Sequence, residues 1–260
     1  MDIDPMTAIN KTQVSFNASQ LVAHRGYRFK YPENTKLSLL KAIEAGAIFI
    51  ELDVQFSRDK LPIIYHDCNL LRVSGKNKSV FNINRSSLIT ETASESERLG
   101  QTFQLETISP LEDLVSILTQ NPAVTAFVEL KDESISHCGR EEMIHKTAGI
   151  LYEVAENTVI MSFDYQLCLK AREISWPQVG VVLERWSDLN CEIINQIEPD
   201  YIFVDQEMIP RDCDLKSCEL LQKSNLVAYE IDDIQIGNNL LERGVDILET
   251  YEIGKFLGIS

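Results

Sequence analysis

Short apolar runs rich in β-branched residues recur along the chain at 21–23, 47–54, 123–130, 158–162, 178–183, 201–204, 226–231 and 245–248. Between them, segments such as 37–44, 111–118, 141–154, 165–173 and 215–222 carry apolar residues at helical spacing. Several of these open on turn or cap residues, Ser109-Pro110, Asp164 and Asp212 among them. Continuous apolar strands alternating with helices predict a parallel sheet covered on both faces. Eight such strands fit a closed (β/α)8 barrel. A doubly wound open sheet is the alternative, but no Gly-rich phosphate turn follows the first run.

Two segments interrupt the alternation. Residues 62–66 follow the second strand after only Ser57-Arg58-Asp59-Lys60, too short a link for a parallel crossover, so this strand returns antiparallel as a hairpin. The hairpin is expected to lay His66 opposite Glu51 across the ladder. Residues 69–107 are polar and weakly periodic, the character of a functional insertion or a mobile lid. Residues 1–20 read as a tail ahead of a single barrel domain over 21–260, with residues 1–7 an added leader. They hold no apolar core of signal-peptide type, and no later run reaches membrane-spanning length. A cytoplasmic protein without stable membrane anchoring is expected.

Composition narrows the chemistry. An apolar content of 44% and a charged content of 25% are ordinary for a globular chain of 260 residues. The formal net charge of −16 argues against nucleic acid as a partner. It also means that any site for an anionic substrate needs local positive charge. The 6 cysteines are scattered without a CxxC pair, which speaks for reduced thiols rather than a zinc knuckle.

Of the 4 histidines, His24 ends the first strand and His66 ends the hairpin strand. The C-terminal ends of barrel strands form the active face, which makes these two the candidate catalytic groups. A lone histidine is more often structural, but here two flank a carboxylate pair; His137 and His145 are read as non-catalytic. Glu51 and Asp53 stand two apart on one strand and therefore share its inner face. Two such carboxylates repel unless a cation shares them, and hard oxygen donors suit Mg²⁺ or Ca²⁺. Glu129, near the end of the 123–130 strand, is the candidate third ligand. Arg25 and Lys131 each follow one of these residues and are suited to clamp a phosphate.

His24-Arg25-Gly26, Pro32-Glu33-Asn34-Thr35, Glu51-Leu52-Asp53-Val54 and Pro62-Ile63-Ile64-Tyr65-His66-Asp67 occur in that order. Leu71-Arg72-Val73-Ser74-Gly75, Ser109-Pro110-Leu111-Glu112-Asp113, Glu129-Leu130-Lys131 and Ser162-Phe163 continue the series. The ordered set resembles the glycerophosphodiester phosphodiesterase family from residue 21 to the C-terminus. The resemblance implies a TIM barrel that binds one divalent cation, Mg²⁺ or Ca²⁺, and cleaves a small glycerophosphodiester to sn-glycerol 3-phosphate and an alcohol. It implies His24 as base, His66 as acid, and Phe163 and Tyr229 beside Arg25 and Lys131 as substrate contacts. The nucleophile is either water or the neighbouring glycerol hydroxyl.

The chain departs from the family pattern late. The aromatic-Thr-Val-Asn stretch of the penultimate strand reads Tyr229-Glu230-Ile231-Asp232, and the closing Gly-Ile-x-Thr-Asp reads Asp246-Ile247-Leu248-Glu249-Thr250. Both changes add negative charge near strand ends. Two rival readings follow: a lysophospholipase D-type enzyme, its acyl groove built from Phe81, Ile83, Leu88 and Ile89, and a non-catalytic barrel that binds phosphodiesters or a protein.

Overall fold

Eight parallel strands close on themselves in the computed structural model, which describes residues 16–259. They are β1 (Leu21–Ala23), β2 (Phe49–Phe56), β5 (Thr125–Leu130), β6 (Thr158–Met161), β7 (Gln178–Val182), β8 (Tyr201–Asp205), β9 (Asn225–Tyr229) and β10 (Ile247–Thr250). Parallel pairing runs from β1 through β10, β9, β8, β7, β6 and β5 to β2, and β1 pairs with β2 to complete the ring. This is a TIM barrel. The intervening helices Lys36–Glu44, Glu112–Gln120, Arg140–Leu151 and Tyr165–Glu173 fall where apolar spacing predicts them. Asp164 caps the last of these by accepting the Leu167 N–H at 2.8 Å.

Period-two alternation sorts the side chains into two cores. Ile50, Leu52, Val54, Val128 and Leu130 point outward and pack with the helices. Val22, Phe127, Val159, Phe203, Val227 and Ile247 point inward and fill the barrel. Moving up each strand by two residues carries the inner face from this apolar floor to the polar mouth: from Val22 to His24, Phe127 to Glu129, Val227 to Tyr229 and Ile247 to Glu249.

The hairpin strand is present as β3 (Pro62–Ile64), antiparallel to β2 and outside the ring. Its register pairs Val54 with Ile64, and Tyr65 N–H donates to Asp53 O at 2.9 Å. Continuing that register sets His66 level with Leu52, not with Glu51 as the sequence suggested. Ser109-Pro110, expected as a helix cap, instead forms β4 (Ser109–Pro110) against β3.

Two further expectations change. Residues 215–222 form only the 3-10 turn Leu215–Ser217. Leu215 and Leu221 are both buried, yet six residues apart on a helix they would point about 120° away from each other. A helix would place them at opposite edges of a wide apolar face, whereas the observed turns bury both directly. The tail is also shorter than 1–20: Phe16 is buried against Phe256, ring centroids 5.1 Å apart, and Ala18–Gln20 form a 3-10 turn leading into β1. Burying such a ring contributes roughly 1.5–3 kcal/mol. The leader expected over 1–7 lies outside the described residues.

The insertion 69–107 folds as an annex with its own small core of Leu70, Val73, Val80, Leu88 and Ala93 against Ile63 and Tyr65. Leu88 is fully buried there, and Phe81 and Ile83 pack on the same cluster. Three of the four residues offered for an acyl groove are thereby committed to packing; Ile89, the fourth, stands outside that cluster. Polar ties fix the annex to the barrel mouth: Glu95 accepts the Glu33 N–H at 2.7 Å, and Arg98 donates to the carbonyls of Arg28 and Tyr31. Among the described residues no helix is long and apolar enough to cross a membrane.

Candidate active site

The turn after β1 builds one wall of the mouth. Gly26 has φ +75°, and a Cβ there would meet the Ser38 carbonyl carbon at 2.6 Å, so only glycine fits. Arg25 and Asn34 also hold left-handed φ of 55°, a conformation that side chains pay for. Both strained residues engage the carboxylates of β2. Arg25 N–H donates to Glu51 Oε2 at 2.8 Å, and its guanidinium Nε lies 3.1 Å from Asp53 Oδ2. Asn34 donates from Nδ2 to Asp53 Oδ2 at 2.8 Å and accepts the Asp53 N–H at 3.0 Å.

Eight of the nine expected site residues line one cavity: His24, Arg25, Glu51, His66, Glu129, Lys131, Phe163 and Tyr229. Asp53 sits just behind its wall at 1% exposure. Donor oxygens of Glu51, Asp53 and Glu129 lie within 4.8 Å of one another. Lys131 reaches two of the three, at 2.6 Å from Glu129 Oε1 and 3.5 Å from Asp53 Oδ1. Glu51 Oε1 is buried with no hydrogen-bond partner among the described residues, a donor position of the sort a hard cation fills.

The carboxylates are not electrostatically equivalent. Burial works against the Asp53 carboxylate, but Arg25 and Lys131 outweigh it and hold the group well below the usual range. Burial and the neighbouring charge of Asp53 push Glu51 up. Glu129 is also raised, by burial that Lys131 only partly offsets. Burial, helped by the Arg25 charge, depresses His24 well below an ordinary imidazole. A site of this kind favours a neutral imidazole and has room for added positive charge.

His66 is oriented from behind. Its Nδ1 lies 2.6 Å from Asp67 Oδ1, and Arg72 holds both Asp67 oxygens at 2.9 Å. With Nδ1 bound to a carboxylate, Nε2 is the nitrogen left for chemistry. Arg72 continues to Glu33 Oε1 at 2.6 Å, and Glu33 also receives Arg25 and Arg28. Burial would raise the Glu33 carboxyl, but the Arg72 hydrogen bond and the three guanidinium charges lower it from 4.5 to about 2. The stabilisation is complete above pH 4.5 and disappears as pH falls towards 2, because only the ionised form is paired. It amounts to on the order of 3 kcal/mol. Glu33→Gln is expected to lower the urea midpoint at pH 7 and to converge on the native curve only below about pH 2.

Sequence reasoning assigned no role to Asp67, Arg72, Glu33 or Asn34, although all lie in the quoted motifs. Apart from the adjacent His66–Asp67 pair, their contribution depends on contacts across 5 to 39 positions, which spacing does not reveal. Glu249 was noted only as a changed residue. It is 2% exposed, its Oε2 lies 3.9 Å from His24 Nδ1, and burial together with Glu129 and Glu230 pushes its carboxyl well up. The 245–248 run stopped one residue short of it. Tyr251 stacks on the His24 ring at 4.6 Å. His137 and His145 lie elsewhere: His137 Nε2 is 3.0 Å from Ser57 O, and His145 is exposed beside Glu141.

The fold and the site together define a TIM barrel with imidazoles, carboxylates and cations gathered at the C-terminal mouth. Residues 24–187 match the model of the glycerophosphoryl diester phosphodiesterase family. The chain belongs to that family. It is 30% identical over 149 residues to a glycerophosphodiester phosphodiesterase of Bacillus altitudinis, covering 56% of this chain and 59% of that protein. It is 25% identical over 167 residues to human glycerophosphodiester phosphodiesterase 1, covering 64% and 49%. The matched regions thus span between half and three-fifths of these relatives. Among solved structures, an Oleispira antarctica phosphodiesterase in complex with its product sn-glycerol 3-phosphate superposes with a TM-score of 0.79 at 23% identity, covering 92% of this chain and 95% of that one. A glycerophosphodiester phosphodiesterase from Agrobacterium tumefaciens gives 0.76 at 19% identity, covering 93% and 100%. At such identities the likeness establishes the fold.

Proposed function

We propose that this protein hydrolyses glycerophosphodiesters to sn-glycerol 3-phosphate and an alcohol. The observation that carries the reading is the convergence of two imidazoles, a three-carboxylate cluster and two cationic side chains on one cavity. A diester phosphate needs each of these: charge to bind it, a base for the nucleophile and an acid for the leaving oxygen. His24, depressed and buried, is the base. His66, its Nδ1 fixed by Asp67, presents Nε2 as the acid. Arg25 and Lys131 share the phosphoryl charge, while Phe163 and Tyr229 flank the bound alcohol.

Glu51, Asp53 and Glu129 would hold one divalent cation, Mg²⁺ or Ca²⁺, which fits their all-oxygen donor set. When bound, such a cation supplies Lewis-acid polarisation of phosphoryl oxygens. Six free thiols support a reducing, cytoplasmic setting. The test is release of glycerol 3-phosphate from glycerophosphocholine and glycerophosphoethanolamine, first with EDTA and then with Mg²⁺ or Ca²⁺. Release that requires the metal is the expected result, with lysophosphatidylcholine turned over far more slowly because Phe81, Ile83 and Leu88 are spent on the annex core. Folded protein that releases nothing with any metal overturns the reading.

A further inference from the structure

A second set of donors surrounds His24, and the hydrolytic reading leaves one of its members, Glu249, without a task. Glu249 projects from β10 into the barrel mouth on the same face as Ile247. Donor atoms of His24, Glu51 and Glu249 lie within 4.8 Å of one another. His24 Nε2 is 3.7 Å from Glu51 Oε2, and His24 Nδ1 is 3.9 Å from Glu249 Oε2. Three buried atoms of this triad have no hydrogen-bond partner among the described residues: His24 Nδ1, Glu51 Oε1 and Glu249 Oε1. Their residues are 7%, 1% and 2% exposed. Glu230 adds a carboxylate on the solvent side, its Oε1 3.7 Å from His24 Nδ1. Unpartnered buried polar atoms are costly, and one on each member of a single close-set triad calls for a shared partner.

The donor chemistry says which partner. The triad of Glu51, Asp53 and Glu129 offers oxygen alone, the preference of Mg²⁺ and Ca²⁺. The triad around His24 offers an imidazole nitrogen with two carboxylates, a set that suits zinc and similar transition cations. We propose that His24, Glu51 and Glu249 form a second metal site, for a zinc-class divalent cation, which shares Glu51 with the first and shuts the enzyme off when filled.

The inhibition follows from the ring itself. A neutral imidazole has one nitrogen with a free lone pair and one that carries hydrogen. Whichever nitrogen gives its lone pair to the metal, the other holds the proton, and no position remains to accept one from the nucleophile. Zinc therefore removes His24 from proton transfer without displacing it. The metal site stands on geometry alone, whereas the inhibition rests on the proposed role of His24 as base.

The experiment is a calorimetric titration of the whole protein with ZnCl2 at saturating Mg²⁺, followed by zinc K-edge X-ray absorption on the one-to-one complex. One zinc per chain is expected, with one imidazole and otherwise oxygen ligands. Glu249→Gln and Glu249→Leu should weaken zinc at least tenfold. Inhibition of glycerophosphocholine hydrolysis should follow the binding curve in native protein and shift with it in the variants. Absence of zinc binding, sulfur ligation from the cysteines, or native affinity in Glu249→Gln overturns the site and leaves Glu249 as a buried neutral acid. If neither variant folds, the ligand set in the native absorption spectrum decides. Zinc bound as expected by a protein without hydrolytic activity overturns the proposed function and the inhibition but leaves the site standing.

Discussion

His24→Ala and His66→Ala are each expected to lower turnover of glycerophosphocholine by about 10²–10⁴-fold, the usual contribution of a positioned acid or base. The two variants should nevertheless separate on an activated substrate. A p-nitrophenyl ester of glycerol phosphate has a leaving group that departs without protonation. His66→Ala should recover most of its rate on that ester, because the acid is no longer needed. His24→Ala should stay impaired, because the nucleophile still needs its base. Equal recovery by both, or by neither, would sink the assignment of roles. Folding should survive in His66→Ala, whose ring is about a quarter exposed, with its side chain at 28% relative exposure. His24 is buried and stacked on Tyr251, so circular dichroism must accompany its kinetics. Asp67→Asn offers an internal control. It keeps the shape but weakens the hold on His66 Nδ1, so it should lower kcat while leaving KM nearly unchanged.

Much of this arrangement is legible in the chain because a strand has a period of two. Val22 and His24, Phe49 and Glu51, and Phe127 and Glu129 each show an apolar floor residue with a polar one two places above it. Eight apolar runs separated by helical segments place the barrel, and these three pairs mark its mouth. The short link 57–60 likewise dictates a hairpin, since no crossover fits within it. Registration is less accessible. His66 lies one position from its expected level because strand ends, unlike strand interiors, carry no alternation to count from. The same weakness cut the last strand short of Glu249. The supporting shell of Glu33, Asp67 and Arg72 is hidden for another reason: its contacts join β1's turn to the insertion, and low periodicity in 69–107 conceals an annex stabilised by a few apolar anchors and several ion pairs. Polar motifs show that a residue matters to a loop. They do not show what the loop leans on.

The carboxylate cluster yields the other large effect. Glu129→Gln is expected to reduce Mg²⁺- or Ca²⁺-supported turnover by at least 10²-fold, on the scale of losing one charged stabiliser of the transition state. Among the three carboxylates it is the cleanest to change. Asp53→Asn would strip a partner from Arg25 and Lys131 together, leaving Arg25 only Glu33 and Lys131 only Glu129, so lost activity and lost stability would be mixed. Glu51→Gln would disturb the Arg25 N–H that closes the turn after β1. With Glu129 neutral, Lys131 still has Asp53 within 3.5 Å, so the fold should hold. Thermal midpoint supplies a readout independent of activity. A cation at a hundred times its Kd stabilises the native chain by about 2.7 kcal/mol. Native protein should therefore melt higher with Mg²⁺ or Ca²⁺ than with EDTA, and Glu129→Gln should show little of that difference. A variant that keeps both the metal-induced shift and the turnover would remove Glu129 from the cation site. The cation would then rest on Glu51 and Asp53 without Glu129, and EDTA should still abolish both the shift and the turnover in the variant.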